Sequence, residues 1–138
     1  VNKLFFETPA LYAVNITNTI QFLNAPYLDD YYDWAQPIVD KRNKNPDLGI
    51  ATINQNFLVF PHYLSLNCAS VEWKQKLKSH LQGSLYAKEI LTPNMLSYLD
   101  AKDQNEFLWN QGIKFLDTVE ETRKMGPWRD IFDYEYKW

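Results

Sequence analysis

Two strand-like runs separated by an amphipathic helix constrain the fold more than any other feature of this sequence. Leu11–Ile20 (LYAVNITNTI) mixes β-branched and polar residues at period two, which predicts a half-buried strand. Apolar residues then recur at helical spacing from Leu28 to Arg42, and Phe57–Leu66 (FLVFPHYLSL) gives the strongest strand signal. A strand, a helix and a second strand in this order predict an α/β fold.

Weaker signals flank these runs. Lys3–Phe6 (KLFF) is a short apolar run that also predicts a strand, and Lys41–Gly49 (KRNKNPDLG) has the charged, Asn-rich composition of an exposed loop. Pro61 lacks the backbone N–H that a sheet ladder uses, so the second strand should bulge, end or lie at an edge there. We therefore expect a few strands, parallel to one another and covered by helices.

The C-terminal half is predicted to be rich in helix. Ser70 is placed to cap one helix, Thr92 followed by Pro93 is a typical helix start, and a long helix should run from about Gln104 to Lys124. The side chains expected to face the core are Trp73, Leu77, Leu81 and Leu85 in the first helix, and Leu108, Phe115 and Val119 in the last, widened by Trp109, Ile113 and Leu116.

Length and composition fit one folded unit. The 138 residues are the size of a single domain or domain fragment, spanning 1–138, and 46% of them are apolar, so a substantial core is available. The formal net charge of −3 is mild and the lysines are scattered among acids, which argues against nucleic acid as a partner. No apolar run approaches the roughly 20 residues of a membrane-spanning helix, so we expect no membrane partner.

Cysteine and glycine usage exclude several classes of site. The chain has one cysteine, Cys68, which cannot form an internal disulfide framework or supply a zinc or iron–sulfur site, and the reducing cytoplasm is the expected compartment. The four glycines are scattered, so neither a P-loop nor a dinucleotide fingerprint is present. His62 lies near Cys68, but a lone cysteine close to a strand end is more typical of a small buried apolar group than of a nucleophile.

Two groups of aromatic side chains need a surface to pack on. Tyr27, Tyr31, Tyr32 and Trp34 would suit a patch that binds a partner, although their helical spacing favours core packing. The tail Trp128–Trp138 carries five aromatic residues beyond the last predicted helix, and we expect it to dock back onto the domain.

The order of these segments resembles the C-terminal portion of radical SAM enzymes, especially those with a reduced auxiliary region, often called twitch-type. The resemblance covers the chain from about Phe6 to Phe132. Its segments are VNITNTIQFLNA, YLDDYYDWAQPIV, a second strand written Pro61–Leu66, the lysine-bearing VEWKQKLKSHL and the final RKMGPWRDIF.

The resemblance implies the C-terminal portion of a partial (β/α)6 barrel. In that family S-adenosylmethionine and a [4Fe–4S] cluster on a CxxxCxxC loop generate a radical, and this sequence contains no CxxxCxxC. Both cofactors are therefore implied only for a longer parent chain, and none is expected to be held by this one. The residues that would contact S-adenosylmethionine or substrate are Asn15, Thr17 and Asn18 on the first strand and His62 near the second. Polar side chains that satisfy loop backbone explain these four positions equally well.

Two functions follow. In the first, the chain is a fragment of a radical SAM enzyme, inactive alone, whose partner is the missing N-terminal half, and its open sheet edge supports self-association into a homo-oligomer. In the second, it is a small non-catalytic domain that docks another protein through its aromatic surface. Reading the DNA upstream of the Val1 codon for an in-frame CxxxCxxC separates the two.

Overall fold

The computed structural model describes residues 13–102 and 105–123, and the structural statements below refer to that part of the chain. It contains two strands, five α-helices and three single-turn 3-10 helices. The strands and α-helices are β1 (Ala13–Ile20), α1 (Leu28–Asn43), β2 (Ile50–Phe57), α2 (Val71–Gln82), α3 (Ala87–Ile90), α4 (Pro93–Leu99) and α5 (Glu106–Arg123). The 3-10 helices are Ala25–Tyr27, His62–Leu64 and Leu66–Cys68.

The two strands form one parallel sheet. Ala13 pairs with Ile50 at one end and Ile20 with Phe57 at the other, and α1 is the crossover between the strands. Parallel strands need such a crossover, because a tight turn reverses the direction of the chain and can therefore join only antiparallel strands. The predicted α/β class, with parallel strands covered by helices, is confirmed.

The second strand lies earlier in the chain than the sequence predicts. β2 occupies Ile50–Phe57 (IATINQNF). The predicted strand Phe57–Leu66 is extended only at Phe57, then irregular, and its last residues enter the 3-10 helices His62–Leu64 and Leu66–Cys68, so that prediction was wrong. Pro61 cannot donate to a sheet ladder, and the Ser65 hydroxyl accepts a hydrogen bond from the Asn67 backbone N–H, which favours turns over extended backbone.

The helices pack around one main core. The side chains of Trp73, Leu77 and Leu81 line the buried face of α2, and Leu28 and Tyr32 of α1 belong to the same cluster. The predicted caps are confirmed, because the Ser70 hydroxyl accepts from the Trp73 N–H at 3.1 Å and the Thr92 hydroxyl from the Met95 N–H at 3.2 Å. Leu85 does not extend the stripe, since α2 ends at Gln82, and it is 86% exposed.

The inward face of α5 agrees with the prediction at Leu108, Trp109, Ile113 and Leu116 but not at Phe115. Gly112 and Leu116 are its buried residues, with Trp109 and Ile113 packed against the core, whereas Phe115 is 40% exposed. Trp109, Gly112, Ile113 and Leu116 follow the spacing i, i+3, i+4 and i+7 of one helix face, so the inward face includes a glycine. The expected inward placement of Phe115 was therefore wrong.

Two predicted segments lie outside the described residues, namely the strand Lys3–Phe6 and the aromatic tail Trp128–Trp138. Within the described ranges, no helix combines the length and apolar character needed to cross a membrane.

Candidate functional site

The outward face of the sheet carries a regular array of neutral polar side chains. Successive side chains of a strand point to opposite faces, so alternate residues of each strand share this face. The register aligns three pairs, all exposed: Asn15 with Thr52, Thr17 with Asn54, and Thr19 with Asn56. Neighbouring side chains stand about 4.8 Å apart across the strands and about 6.6 Å apart along them.

Part of this array is internally bonded and part is open to solvent. The Thr52 hydroxyl donates to the Asn15 side-chain oxygen at 2.6 Å. Within residues 13–102 and 105–123, the side chains of Thr17, Asn54 and Asn56 make no hydrogen bond to another side chain or to the backbone. Their amides and hydroxyl are therefore available as donors and acceptors for a ligand.

A parallel sheet with one open polar face is an unusual arrangement. Parallel sheets are normally covered on both faces by helices, and their strands are then apolar throughout. Here the helix-facing positions include Val14, Ile16 and Ile53, whereas the outward positions of both strands are Asn or Thr over three successive pairs. Covering that face with an apolar layer would leave amides and hydroxyls unsatisfied, which is costly. The face therefore suits water or a polar ligand.

The four predicted contact residues divide between different places. Asn15 and Thr17 lie together on the outward face, as their alternation predicted. Asn18 lies on the opposite, helix-covered side of β1 and is half-buried. His62 lies beyond β2 in a 3-10 helix, exposed, with its ring edge-to-face against Phe60 at 5.7 Å. Their binding roles remain predictions.

Sequence reasoning missed the half of the array that β2 contributes. Thr52, Asn54 and Asn56 alternate with apolar or half-buried residues in IATINQNF, which is the period of a strand. The signal was present but weak, because the run directly follows a charged loop and is less apolar than Phe57–Leu66.

Gln55 fixes β2 against the helices. Its amide nitrogen donates to the carbonyls of Ile90 at 3.0 Å and Glu89 at 3.2 Å, and its amide oxygen accepts from the Thr92 hydroxyl at 3.0 Å. These bonds join the strand to the connection between α3 and α4. Because Gln55 points to the helix side, its neighbours Asn54 and Asn56 are held towards the outward face.

A separate cleft of about 330 Å³ brings His62 and Cys68 into one lining. The rest of the lining is Val59, Ser65, Asn67, Ala101, Asn105 and Leu108. The thiol is 1% exposed, and it donates to the Ser65 carbonyl at 2.9 Å instead of to the imidazole. Burial raises the pKa of the Cys68 thiol to about 11, which disfavours the thiolate that nucleophilic chemistry needs. The structure therefore agrees with Cys68 as a buried packing group.

This pKa gives a testable consequence for thiol reactivity. We expect iodoacetamide to alkylate Cys68 at pH 8 about 100-fold more slowly in the folded chain than in urea, because two units of pKa reduce the thiolate fraction by that factor. The raised pKa of Cys68 also makes the free energy of unfolding depend on pH, because the folded chain keeps the thiol proton to a higher pH than the unfolded chain does. This contribution is fully present below about pH 9 and is lost as the pH rises towards 11. Mass spectrometry of timed samples measures the rate, and equal rates in both states would contradict the prediction.

The donor set does not fit an iron–sulfur cluster. Cys68 is the one cysteine of the sequence, and its sulfur is buried against backbone carbonyls. Among the described residues, no group of three His, Cys, Asp or Glu side chains is placed to hold a metal ion.

Comparisons of the chain with models of known protein families, with curated proteins and with solved structures found no match.

Proposed function

We propose that this chain is a ligand-binding wall of a larger α/β enzyme of the radical SAM type, and that it is not catalytic by itself. The observation that carries the proposal is the parallel β1–α1–β2 unit with helices on one face and three aligned pairs of Asn and Thr on the other. In a closed or partial barrel, interior-facing residues alternate with helix-facing ones along each strand. An interior that holds a ligand needs hydrogen-bonding groups on that face.

The chemistry of the face suggests which part of a ligand it would contact. Thr17, Asn54 and Asn56 offer hydroxyl and amide groups and no charge, so they match hydroxyl and amide groups of a ligand better than its carboxylate or sulfonium. S-adenosylmethionine supplies the radical in enzymes of this type when it is bound at their cluster, and this chain would contribute only positioning contacts. Asn15 and Thr17 retain their predicted role on this account.

The resemblance needs one adjustment. It placed the second strand at Pro61–Leu66, but the strand that pairs with β1 is Ile50–Phe57. The proposal therefore depends on the order and parallel pairing of the elements, and not on the Pro-His-Tyr segment. Self-association through a sheet edge and a cytoplasmic location also remain proposals.

Replacing two side chains of the face tests its role. In a chain extended by its upstream coding sequence and carrying a CxxxCxxC loop, Thr17→Val with Asn54→Leu should weaken S-adenosylmethionine or substrate binding about 30-fold, since each of the two lost hydrogen bonds contributes about 1 kcal/mol. The free energy of unfolding should change by less than about 0.5 kcal/mol because both side chains are exposed. Equilibrium dialysis measures the binding and urea denaturation the stability.

The matched control is Ser79→Val with Asn110→Leu, two exposed polar positions on α2 and α5, which should bind as the parent does. Unchanged binding in the Thr17 and Asn54 variant would remove this face from the site. An upstream frame that lacks CxxxCxxC would remove the radical SAM proposal itself.

A second candidate, a non-catalytic domain that docks a partner, is favoured by a different observation. Trp34 is 51% exposed and Leu85 is 86% exposed, whereas Tyr32 is buried in the core. Core packing thus accounts for Tyr32 but not for Trp34, and the exposed apolar area on α1 and beyond α2 is of the kind found at protein interfaces.

A further inference from the structure

The edge of β2 that faces away from β1 carries backbone groups without a neighbouring strand. Among the described residues the sheet has two strands, so each strand has one paired edge and one outer edge. The N–H and C=O groups of successive residues in a strand point alternately to its two sides. The Leu58 N–H donates to the Ile20 carbonyl at 2.8 Å, which places the even-numbered residues of β2 on the side of β1. The residues whose backbone groups turn outwards are therefore Ala51, Ile53, Gln55 and Phe57.

The side chain of Asn43 confirms this direction at the first of these residues. Asn43 is the last residue of α1, and its amide nitrogen donates to the Ala51 carbonyl at 3.0 Å while its amide oxygen accepts from the Ala51 N–H at 2.7 Å. A neighbouring strand would make the same two bonds. Beyond Ala51, the outward backbone groups of Ile53, Gln55 and Phe57 have no hydrogen-bond partner within residues 13–102 and 105–123. The outer edge is thus closed at one end and open along the rest.

A cavity of about 250 Å³ lies beside this open edge. Its lining contains Ile53, Gln55 and Phe57, whose side chains point to the helices, and also Asn54, whose side chain points to the opposite face. A cavity above one face of a strand would be lined by alternate residues only, so a cavity lined by successive residues lies along the edge. None of its described lining residues comes from β1, as expected for the edge turned away from that strand.

The connection between α3 and α4 forms the other wall of this cavity. Glu89, Thr92 and Asn94 line it there, and all three are polar. The Gln55 side chain ties this wall to the strand, since it donates to the Glu89 carbonyl at 3.2 Å and accepts from the Thr92 hydroxyl at 3.0 Å. We call the space between this wall and Ile53–Phe57 the β2 groove. One of its sides is unpaired backbone and the other is a row of polar residues.

We propose that the β2 groove binds an extended peptide segment of a partner protein as a third strand of the sheet. Unpaired N–H and C=O groups that alternate along an edge are complementary to the backbone of another strand, and strand addition is a recurring mode of peptide recognition. The open edge, Ile53–Phe57, matches a segment of about five residues. Side chains of the segment that enter the groove meet Glu89, Thr92 and Asn94, so hydroxyl side chains such as threonine suit it better than large apolar ones.

A single extended segment fits the β2 groove better than a second copy of the protein does. Joining two β2 edges in the antiparallel, twofold-symmetric way would bring a second α3–α4 connection to the same face of the joined sheet. The first connection already stands beside that edge, within hydrogen-bond reach of Gln55. An extended segment brings only its backbone and its alternate side chains, so it meets no such obstacle.

The test titrates the isotope-labelled full chain with a nine-residue peptide in which Thr alternates with Ser between terminal lysines, followed by NMR. The chemical shifts should give a Kd below about 1 mM. The same peptide, N-methylated at its central residues, cannot donate backbone hydrogen bonds and should bind at least about tenfold more weakly. Bound Thr–Ser peptide should slow amide hydrogen exchange at Ile53, Gln55 and Phe57 but not at Asn54 and Asn56, whose N–H groups face β1.

A variant that fills the β2 groove tests where the peptide binds. Asn94→Trp adds a large side chain at an exposed position of the wall and should raise the Kd about tenfold. The matched control is Ser97→Trp, at an exposed position of the same helix outside the described lining, and it should leave the Kd within about twofold. Circular dichroism checks that both variants fold, and the exchange pattern of the parent chain tests the proposal without any substitution.

Four outcomes would overturn the proposal. They are no binding of the Thr–Ser peptide at about 1 mM, equal binding of the N-methylated peptide, an equal loss in Ser97→Trp, and exchange at Ile53, Gln55 and Phe57 that is already slow without peptide. In the last case the edge is already paired, and light scattering shows whether a second copy or the chain itself pairs with it. Because the assay contains no S-adenosylmethionine and leaves Thr17 and Asn54 unchanged, its result is independent of the proposed barrel function.

Discussion

Replacing Phe22 by alanine is expected to lower the free energy of unfolding by about 3–5 kcal/mol. Phe22 follows β1, is 0% exposed, and packs against Trp109 of α5 with ring centroids 5.0 Å apart. Its backbone N–H also donates to the Leu64 carbonyl at 3.2 Å, so the residue joins the end of the sheet, the 3-10 segment and α5. Truncation leaves a cavity where these three parts meet, and backbone held on both sides of it cannot collapse freely.

Urea denaturation followed by circular dichroism measures this effect, and Phe60→Ala is the matched control. Phe60 loses the same atoms but is 77% exposed, so its variant should stay within about 0.5 kcal/mol of the parent. Because small domains are stable by only about 5–15 kcal/mol, the Phe22 variant should unfold at a much lower denaturant concentration or lose its cooperative transition. Equal stabilities of the two variants would show that the described packing around Phe22 does not hold the fold together.

Helices with local signals could be predicted from the sequence. α1 begins at Leu28 as expected and ends one residue beyond the predicted Arg42, and the caps Ser70 and Thr92 hold α2 and α4 as expected. Capping hydroxyls and helical spacing act within a few residues, so a single sequence contains all the information they need. The parallel pairing, which was expected together with the partial barrel that the resemblance implies, is observed between β1 and β2.

The position of β2 could not be predicted because the competing segment is more apolar. Phe57–Leu66 begins with four successive large apolar residues, yet Val59 is 60% and Phe60 77% exposed, while Leu66 is buried at the end of the segment. The segment is a loop that packs against the core only near Leu66. The strand that pairs with β1 instead carries Asn and Thr at alternate positions. Apolar content alone does not distinguish a strand from such a loop.

The candidate site shows the same limit. The sequence identified β1, and with it Asn15 and Thr17. It did not identify β2, so Thr52, Asn54 and Asn56 were missed. The array exists only through the register between two strands 37 residues apart in the chain, as in the Thr52–Asn15 hydrogen bond. Register is decided by long-range pairing and by burial of the opposite face, which no local pattern contains.

The prediction for α5 failed at Gly112 for a related reason. Glycine has no side chain to count as apolar, so the predicted inward face left out Gly112 and was centred on Leu108, Phe115 and Val119, widened by Trp109, Ile113 and Leu116. The helix instead turns Gly112 inward, where an added Cβ would lie 2.5 Å from the Tyr63 carbonyl oxygen and 3.4 Å from the Phe22 ring. The missing side chain lets α5 approach the 3-10 segment His62–Leu64 at a distance that no other residue permits.

Gly112→Ala should therefore lower the free energy of unfolding by about 1–3 kcal/mol, although alanine is about 1 kcal/mol more favourable than glycine in a helix interior. The clash is with a backbone oxygen, so relief requires α5 or the Tyr63 segment to move as a whole. Such a movement also disturbs the packing of Trp109 on Phe22, because both lie at the same contact. Urea denaturation measures the stability, and near-ultraviolet circular dichroism reports the packing of the aromatic side chains, Trp109 among them.

Asn110→Ala is the control on the same helix, since Asn110 is exposed and gains the helix preference of alanine without a clash. Asn110→Ala should leave the free energy of unfolding unchanged or raise it slightly, whereas Gly112→Ala should lower it. Gly112→Val should be worse than Gly112→Ala, because its branched side chain adds atoms at the point of closest approach. A Gly112→Ala variant as stable as Asn110→Ala would mean that α5 does not approach the Tyr63 carbonyl this closely, and the inward face of the helix would then have to be reassigned.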